Sequence, residues 1–145
     1  MKKINEEVYY LNQDNLVLGS EEIEKLKCLA LKNKSKKCRF CTHSDPSSQL
    51  HEMFIFHAKT SEVKIHKHLS RDESFLILDG EVNLNIHSED GSIKTVINLG
   101  SFQSGKKFYY KISKNTLHSL SILSNHVIFK ETTQGPFRSE DSIFI

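Results

Sequence analysis

Two histidines and a glutamate stand at a spacing that could form a metal site. His66 and His68 are separated by one residue, so on a β-strand both imidazoles point to the same face. Glu73 follows after Leu69–Asp72, a stretch short enough to form a turn that returns the carboxylate to the histidines from the neighbouring strand. Gly80 then stands where the chain must turn sharply, and glycine accepts any φ without strain.

A fourth ligand has to come from a separate strand, and His118 is the candidate. Three neutral imidazoles and one carboxylate suit a divalent transition metal such as Fe, Zn, Ni, Mn or Cu, and they leave coordination positions open for a substrate. The sequence therefore predicts a metal site of His66, His68, Glu73 and His118. The identity of the metal stays open.

The chain that carries these residues has the pattern of short β-strands from about residue 50 onward. Runs of β-branched and aromatic residues are separated by turn residues, and Asp90 with Gly91 is a two-residue hairpin signal. The predicted strands are Met53–Phe56, Glu62–His66, Ser74–Leu78, Glu81–His87, Ser92–Leu99, Phe108–Ile112, Ser119–Leu123 and Val127–Thr132. No helix lies between them, so the sequence predicts an antiparallel sandwich or barrel, because parallel strands would need crossover connections.

The N-terminal part has a helical pattern instead. Ser20 is a candidate N-cap, acidic residues follow in the first turn, and lysines stand near the end, so a helix is predicted over 20–33. Its apolar stripe consists of Ile23, Leu26, Cys28, Leu29 and Ala30. We therefore divide the chain into an N-terminal helical extension, 1–35, and a single β-barrel domain, 36–145.

Composition excludes several classes of protein. Of the 145 residues, 37% are hydrophobic and 26% are charged, which is typical of one globular domain. No apolar run approaches the roughly 18 residues of a transmembrane helix, and acids follow the basic N-terminus where a signal peptide would be apolar. A cytoplasmic protein is expected. The net charge of +2 and the absence of a basic face with interleaved aromatics predict neither a nucleic-acid nor a membrane partner.

Two features of the sequence have ordinary interpretations. The basic stretch 32–37 is interpreted as a solvated helix end or linker. Cys38 and Cys41 form a Cys-x-x-Cys pair, but a zinc knuckle would need two more ligands and a redox pair would normally open a helix. Together with Cys28 they make an odd number of cysteines, so the pair is interpreted as two reduced thiols.

The spacing of the proposed ligands resembles the two sequence motifs of the cupins. The first motif is matched by His66-x-His68-x4-Glu73-x6-Gly80. The second, Pro-x-Gly-x-x-His, is matched by Ser113–His118, with Ser113 at the proline position and Asn115 at the glycine position. Asparagine tolerates a left-handed turn better than other non-glycine residues, so the geometry of this turn is expected to survive.

A narrower resemblance is to WbuC-type cupins, a family of the RmlC-like cupin superfamily. It rests on Arg39-x-Cys41-x-His43 with Asp45 and His51–Met53 behind it, on Glu73–Phe75, and on Glu131–Phe137, and it covers about residues 36 to 143. That family is similar to small single-domain metalloproteins encoded among bacterial O-antigen and other surface-polysaccharide genes. The resemblance implies an all-β, antiparallel jelly-roll barrel, or double-stranded β-helix, with a short N-terminal helical extension.

Further residues are expected near the metal. Arg39 offers a planar fork for the carboxylate or phosphate of a ligand, and His43 titrates near neutral pH, so it is a candidate general acid or base. Glu131 is a second catalytic candidate, because a carboxyl group inside a barrel needs a partner. Phe75 and Tyr110 are candidates for contacts with the ligand.

Three functions follow from this site. The first is a metal-dependent isomerase or epimerase of a sugar or sugar nucleotide in surface-polysaccharide biosynthesis, in which His43 or Glu131 moves protons. The second is a non-catalytic accessory protein that binds metal and sugar, and the third is an Fe(II)-dependent dioxygenase. The fold cannot separate these functions. Homodimerisation through edge strands is a further expectation.

Overall fold

The computed structural model describes all residues from 1 to 145 and contains one α-helix and twelve strands. The helix, α1, is Ser20–Lys32. The strands are β1 (Lys2–Lys3), β2 (Val8–Tyr10), β3 (Lys37–Cys41), β4 (Leu50–Ala58), β5 (Val63–His68), β6 (Glu73–Asp79), β7 (Glu81–His87), β8 (Ile93–Gly100), β9 (Tyr109–Ile112), β10 (His118–Ile122), β11 (His126–Gln134) and β12 (Ser142–Phe144). Short 3-10 turns at Phe102–Ser104 and Ser139–Asp141 complete the secondary structure.

The strands form two sheets that face each other. The seven-stranded sheet has the order β1-β2-β3-β4-β11-β6-β9, and the five-stranded sheet has the order β12-β5-β10-β7-β8. Every pairing of neighbouring strands is antiparallel except that of β2 with β3, which is parallel. The predicted all-β jelly-roll barrel with an N-terminal helix is therefore confirmed.

Two clusters of apolar side chains stabilise this arrangement. The larger one fills the space between the sheets and includes Ile55, Phe75, Leu84 and Phe129. The smaller one lies between α1 and the outer face of the seven-stranded sheet, where Leu26 and Ala30 of the helix pack with Phe40 and Phe56. The seven-stranded sheet is thus covered on both faces near β3, β4 and β11.

Several local predictions need correction. Gly19, not Ser20, caps α1, and its N–H donates to the Glu22 carboxylate at 2.7 Å. Cys28 is exposed and does not belong to the buried stripe of the helix. The strands β1, β2, β3 and β12 were not predicted; β3 is a short run of mixed residues and the other three have only two or three residues each, so none has a clear period.

The Cys-x-x-Cys pair lies on β3, and its two sulfur atoms face opposite sides of the sheet. Cys38 packs in the cluster beneath α1, whereas Cys41 packs between the two sheets. Burial raises the pKa of both thiols to about 11. Both are free cysteines, as the sequence predicted, and their placement on opposite faces prevents them from binding one metal ion.

Turn residues take the conformations that the sequence required. Gly80 has φ 90° between β6 and β7, and Asn115 has φ 65° in the turn before β10. A Cβ atom at residue 80 would lie 2.2 Å from the carbonyl oxygen of His126, so only glycine fits there. No helix of the structure is long and apolar enough to cross a membrane. The division of the chain at residue 35 stays a prediction, although β2 joins the same sheet as β3.

Candidate metal centre

Three histidines from two neighbouring strands meet on the inner face of the five-stranded sheet. His66 and His68 lie on β5, and His118 begins β10 directly opposite His66. His118 and Leu120 are two residues apart on β10, whereas their partners on β5, His66 and Val63, are three residues apart. Strand β5 therefore contains one extra residue, which is a β-bulge. Such a bulge re-aims side chains next to a site. One ligand nitrogen from each histidine lies within 4.8 Å of the other two.

Glu73 reaches this cluster from the opposite sheet. We expected it to return from the neighbouring strand, but β5 belongs to the five-stranded sheet and β6, which Glu73 begins, to the seven-stranded sheet. The segment 69–72 therefore crosses from one sheet to the other. The Glu73 Oε1 atom lies 2.9 Å from Nε2 of His68, and its Oε2 atom lies 3.6 Å from Nε2 of His118.

The Nδ1 atom of each histidine has a hydrogen-bond partner on the side away from the cluster. His66 Nδ1 lies 2.8 Å from the Lys64 carbonyl oxygen, and His118 Nδ1 lies 2.9 Å from that of Thr116. A carbonyl accepts only, so these two Nδ1 atoms carry the proton and each Nε2 offers a lone pair. The bulge on β5 thus presents the carbonyl that orients His66.

His68 is oriented by the C-terminal part of the chain. Its Nδ1 lies 2.9 Å from the hydroxyl of Ser142 on β12 and 3.1 Å from Nη2 of Arg71. Ser142 pairs with His68 in the β-ladder, and Arg71 is held by Asp141, with Nε 3.6 Å from Oδ2. The hydroxyl can accept the Nδ1 proton, whereas the guanidinium can only donate. Ser142 is therefore the partner that leaves Nε2 of His68 free to bind a metal.

These residues fit a divalent transition metal. Nε2 of His118 is buried and has no hydrogen-bond partner, which is costly unless another ligand satisfies it. Burial and the neighbouring His118 lower the pKa of His66 to about 4, so its imidazole is neutral at pH 7. Burial disfavours ionisation of Glu73, but the imidazoles of His118 and His68 outweigh it and hold its pKa well below the ordinary value. Neutral imidazoles and an ionised carboxylate are the forms that bind metal.

A cavity of about 750 Å³ opens from this cluster between the two sheets. Its wall is mixed: seven of its 24 residues are hydrophobic, and the others include five lysine and arginine residues and two glutamates outside the ligand set. The cations are Lys34, Lys37, Lys64, Arg39 and Arg71, and the two carboxyl groups are those of Glu62 and Glu131. The cavity is thus large enough for a small polar ligand and is lined mainly by positive charge.

More than half of the sequence matches the model of a protein family. Residues 18–99 match the model of a family described as Domain of unknown function (DUF6016). The chain belongs to the DUF6016 family. The matched segment of this DUF6016 protein includes His66, His68 and Glu73 but ends before His118. No curated protein matches it.

Solved structures with the same fold come from several cupin proteins. Protein SO0799 from Shewanella oneidensis is 16% identical with a TM-score of 0.55, and the aligned part covers 72% of this chain and 67% of that chain. KdgF from Halomonas sp. is 13% identical with a TM-score of 0.53, covering 72% of this chain and 82% of that chain. Oxalate decarboxylase OxdC from Bacillus subtilis is 16% identical with a TM-score of 0.55, covering 68% of this chain. The DUF6016 protein spans only 25% of that decarboxylase chain, and these likenesses show the cupin fold alone.

Three of the other predicted residues of the DUF6016 protein line the cavity. They are Arg39, Phe75 and Glu131, which all lie on the inner face of the seven-stranded sheet. The guanidinium of Arg39 donates from Nη1 to the thioether sulfur of Met53 at 3.8 Å. Burial and the negative charge of Glu73 raise the pKa of Glu131 to about 8, although Arg39 and Arg71 oppose the shift. Glu131 is therefore protonated at neutral pH and can donate a proton.

Two predicted residues do not line the cavity. The imidazole of His43 stacks on that of His51, with ring centroids 3.9 Å apart, and Tyr10 packs against its edge. Tyr110 lies on β9 and packs against the apolar core. The structure therefore does not bring His43 or Tyr110 together with the three histidines.

The sequence also left out residues that line the cavity. His57 is the last inward-facing residue of β4, and its alternation with Ile55 and Met53 could have indicated this. Arg71 and Ser142 had no comparable signal, because their role depends on contacts with His68 from elsewhere in the chain.

Proposed function

We propose that this chain is a metal-dependent cupin that binds a small anionic ligand in the cavity between its sheets. The metal ligands are His66, His68, Glu73 and His118. The observation that carries the proposal is the convergence of three histidine nitrogens within 4.8 Å on the cavity wall, beside a buried carboxylate. The hydrogen bonds of the three Nδ1 atoms support it, because they fix rings that would otherwise rotate.

The bound metal would act as a Lewis acid on a hydroxyl, carbonyl or carboxylate oxygen of the ligand. The protein residues around it have separate tasks. Arg39 offers its planar guanidinium to an anionic group, and Phe75 packs against the ligand's apolar face. Glu131, with a pKa of about 8, holds a proton at neutral pH and can return it to a ligand atom within the cavity.

A sugar or sugar nucleotide is the ligand that we favour. Its hydroxyl and carbonyl oxygens suit the metal, and its phosphates suit the cationic wall. The resemblance to WbuC-type cupins supports a role in bacterial surface-polysaccharide biosynthesis. Among the proteins with this fold, the decarboxylase from Lactobacillus farciminis is described as a formate complex, which is compatible with recognition of small anions on such a barrel.

Isomerisation or epimerisation is the reaction that we favour, because Glu131 lies in the cavity with a pKa of about 8, near enough to neutral pH for its ionised form to take a proton from a ligand carbon and its protonated form to return that proton. The non-catalytic accessory role needs no such group, and an Fe(II)-dependent dioxygenase would use the metal and oxygen instead. His43, which stacks on His51 outside the cavity, has no part in this proposal. A cytoplasmic location and a homodimer formed through edge strands stay predictions.

Metal analysis tests the site. Purified wild-type protein is expected to hold one equivalent of a divalent transition metal, and His66→Ala and His118→Ala should each lose most of it. His126→Gln is the matched control, because His126 pairs with Asp79 on the outer surface and stacks on Phe56. Wild-type protein without metal, or retention of the metal by both alanine variants, contradicts the proposal.

Proton exchange tests the reaction. Metal-loaded protein is incubated in deuterated water with a panel of sugar nucleotides, and NMR follows deuterium incorporation next to carbonyl or acidic carbon atoms. Glu131→Gln should abolish exchange while it retains the metal. Oxygen consumption without exchange would instead favour the dioxygenase, and ligand binding without either reaction would favour the accessory role.

A further inference from the structure

Three lysines surround one end of the cavity. Lys37 is the first residue of β3, Lys34 precedes it in the loop after α1, and Lys64 is the second residue of β5. They meet because Lys37 pairs with His57 near the end of β4, and a short loop connects β4 to β5. We name these three side chains the lysine rim.

The loop that contains Lys34 and leads into Lys37 is held in a fixed conformation. Asn33, only 6% exposed, donates from Nδ2 to the carbonyl oxygens of Glu6 at 2.9 Å and Lys37 at 2.7 Å. Its Oδ1 accepts the N–H of Lys36 at 2.7 Å, and Lys36 has a left-handed φ of 57°. This clamp directs Lys36 away from the cavity, where Nζ donates to the Leu31 carbonyl at 2.6 Å.

The bulge on β5 fixes the position of the third lysine, Lys64, on the cavity wall. Because an extra residue stands between Val63 and His66, both Val63 and Lys64 line the cavity, which strict alternation would not allow. The Lys64 carbonyl accepts from Nδ1 of His66. The same irregular turn of backbone therefore orients a proposed metal ligand and places a cation two residues away from it.

The lysine rim has more positive charge than its surroundings neutralise. Glu62 lines the same end of the cavity, and the Glu7 carboxylate lies 4.0 Å from Nζ of Lys37. Neither Lys34 nor Lys64 has a carboxylate within salt-bridge distance, and Arg39 lies deeper on the same inner face as Lys37. Three cations against these two carboxylates leave a site that attracts a multiply charged anion.

We propose that the lysine rim binds the diphosphate of a ligand whose other end reaches the metal centre. This proposal rests on the proposed function and adds the orientation of the ligand. Lys64 and His66 are two residues apart, so roughly 7 Å of strand separates the rim from the nearest metal ligand. A nucleoside diphosphate sugar fits this order of groups: the sugar lies at the metal, the diphosphate at the rim, and the nucleoside outside.

The test uses inorganic pyrophosphate and full-length protein freed of metal by a chelator. Isothermal titration should show pyrophosphate binding to wild type, at least tenfold tighter than orthophosphate. Lys34→Gln, Lys37→Gln and Lys64→Gln should each weaken it by about threefold to fivefold, the range for an exposed charge pair, and added salt should weaken it further. Lys36→Gln is the matched control, since it removes the same charge from the same loop without touching the cavity.

The outcomes separate this proposal from the proposed function. His66→Ala should lose metal yet bind pyrophosphate as wild type does, and UDP should compete with pyrophosphate. Absence of binding to the metal-free protein, or an equal loss in Lys36→Gln and the three rim variants, overturns the lysine rim as a diphosphate site. Pyrophosphate binding by a wild-type protein that takes up no metal would retain the rim and reject the metal centre.

Discussion

Replacing Glu131 by glutamine is expected to stabilise the metal-free protein at neutral pH. The carboxyl group of Glu131 lies in the cavity, where Arg71 pairs with Asp141 instead and Arg39 lies against a methionine sulfur. Burial, together with the charge of Glu73, raises its pKa to about 8. Glutamine has nearly the same shape as the protonated acid and also offers both a donor and an acceptor, but it does not ionise in the unfolded chain.

The sign and size follow from proton linkage. The unfolded chain releases the Glu131 proton near pH 4.5, whereas the folded protein retains it until about pH 8. Folding of wild type therefore loses stability as pH rises through this interval, by about 1.4 kcal/mol for each pH unit. At pH 7 the loss is about 3 kcal/mol, and at pH 5 it is below about 1 kcal/mol. The glutamine variant lacks this loss.

Urea unfolding at pH 5, 7 and 8.5 in the presence of a chelator measures the effect. The free energy of unfolding of Glu131→Gln should exceed that of wild type by about 3 kcal/mol at pH 7, and the difference should shrink at pH 5. Glu62→Gln, which changes an exposed carboxyl group on the same cavity, is the control and should change little. A variant less stable than wild type at pH 7, or a difference that does not vary with pH, would refute the reasoning.

Three further perturbations have defined outcomes. Burial lowers the pKa of His57 to about 3, so the unfolded state gains a proton as pH falls below 6.5 and the folded protein loses stability. Wild type should therefore lose about 2 kcal/mol of unfolding free energy between pH 7 and pH 5 through this residue, and His57→Gln should not, as measured by urea titrations at both pH values. Ser142→Ala should weaken metal affinity about tenfold in chelator competition, whereas Ser142→Thr keeps the hydroxyl that accepts from His68. Gly80→Ala should reduce the free energy of unfolding by about 3 kcal/mol or more, because its Cβ would meet the His126 carbonyl.

Most of the barrel could be predicted from local patterns. Strand β7 agrees residue for residue with Glu81–His87, since Val82, Leu84 and Ile86 alternate with polar residues and a glycine precedes the strand. The strands that were not predicted have weak periods: β1 and β2 have only two and three residues, β3 is buried on both faces, and β12 exists only through its pairing with β5. The sheet to which each strand belongs could not be predicted from local pattern either. A four-residue connection such as 69–72 can form a hairpin within one sheet or cross between two sheets.

The residues of the candidate site also differ in how far they could be predicted from local pattern. The spacing of His66, His68 and Glu73 is local in sequence, and a strand with a turn determines which side chains can meet, so these residues could be chosen before the fold was known. His118 required one long-range assumption, that its strand lies beside β5, and the left-handed Asn115 makes that approach possible.

Ser142 stands 74 residues from His68 in the chain, and its hydroxyl orients that ring only because three residues at the C-terminal end add a strand to the sheet. The sequence of that strand has no feature that distinguishes it from a surface tail. Local spacing can therefore predict which side chains bind a metal, and local carbonyls orient His66 and His118, but the group that fixes the protonation of His68 comes from long-range pairing. For this reason Ser142→Ala is expected to affect the metal centre although no sequence motif includes it.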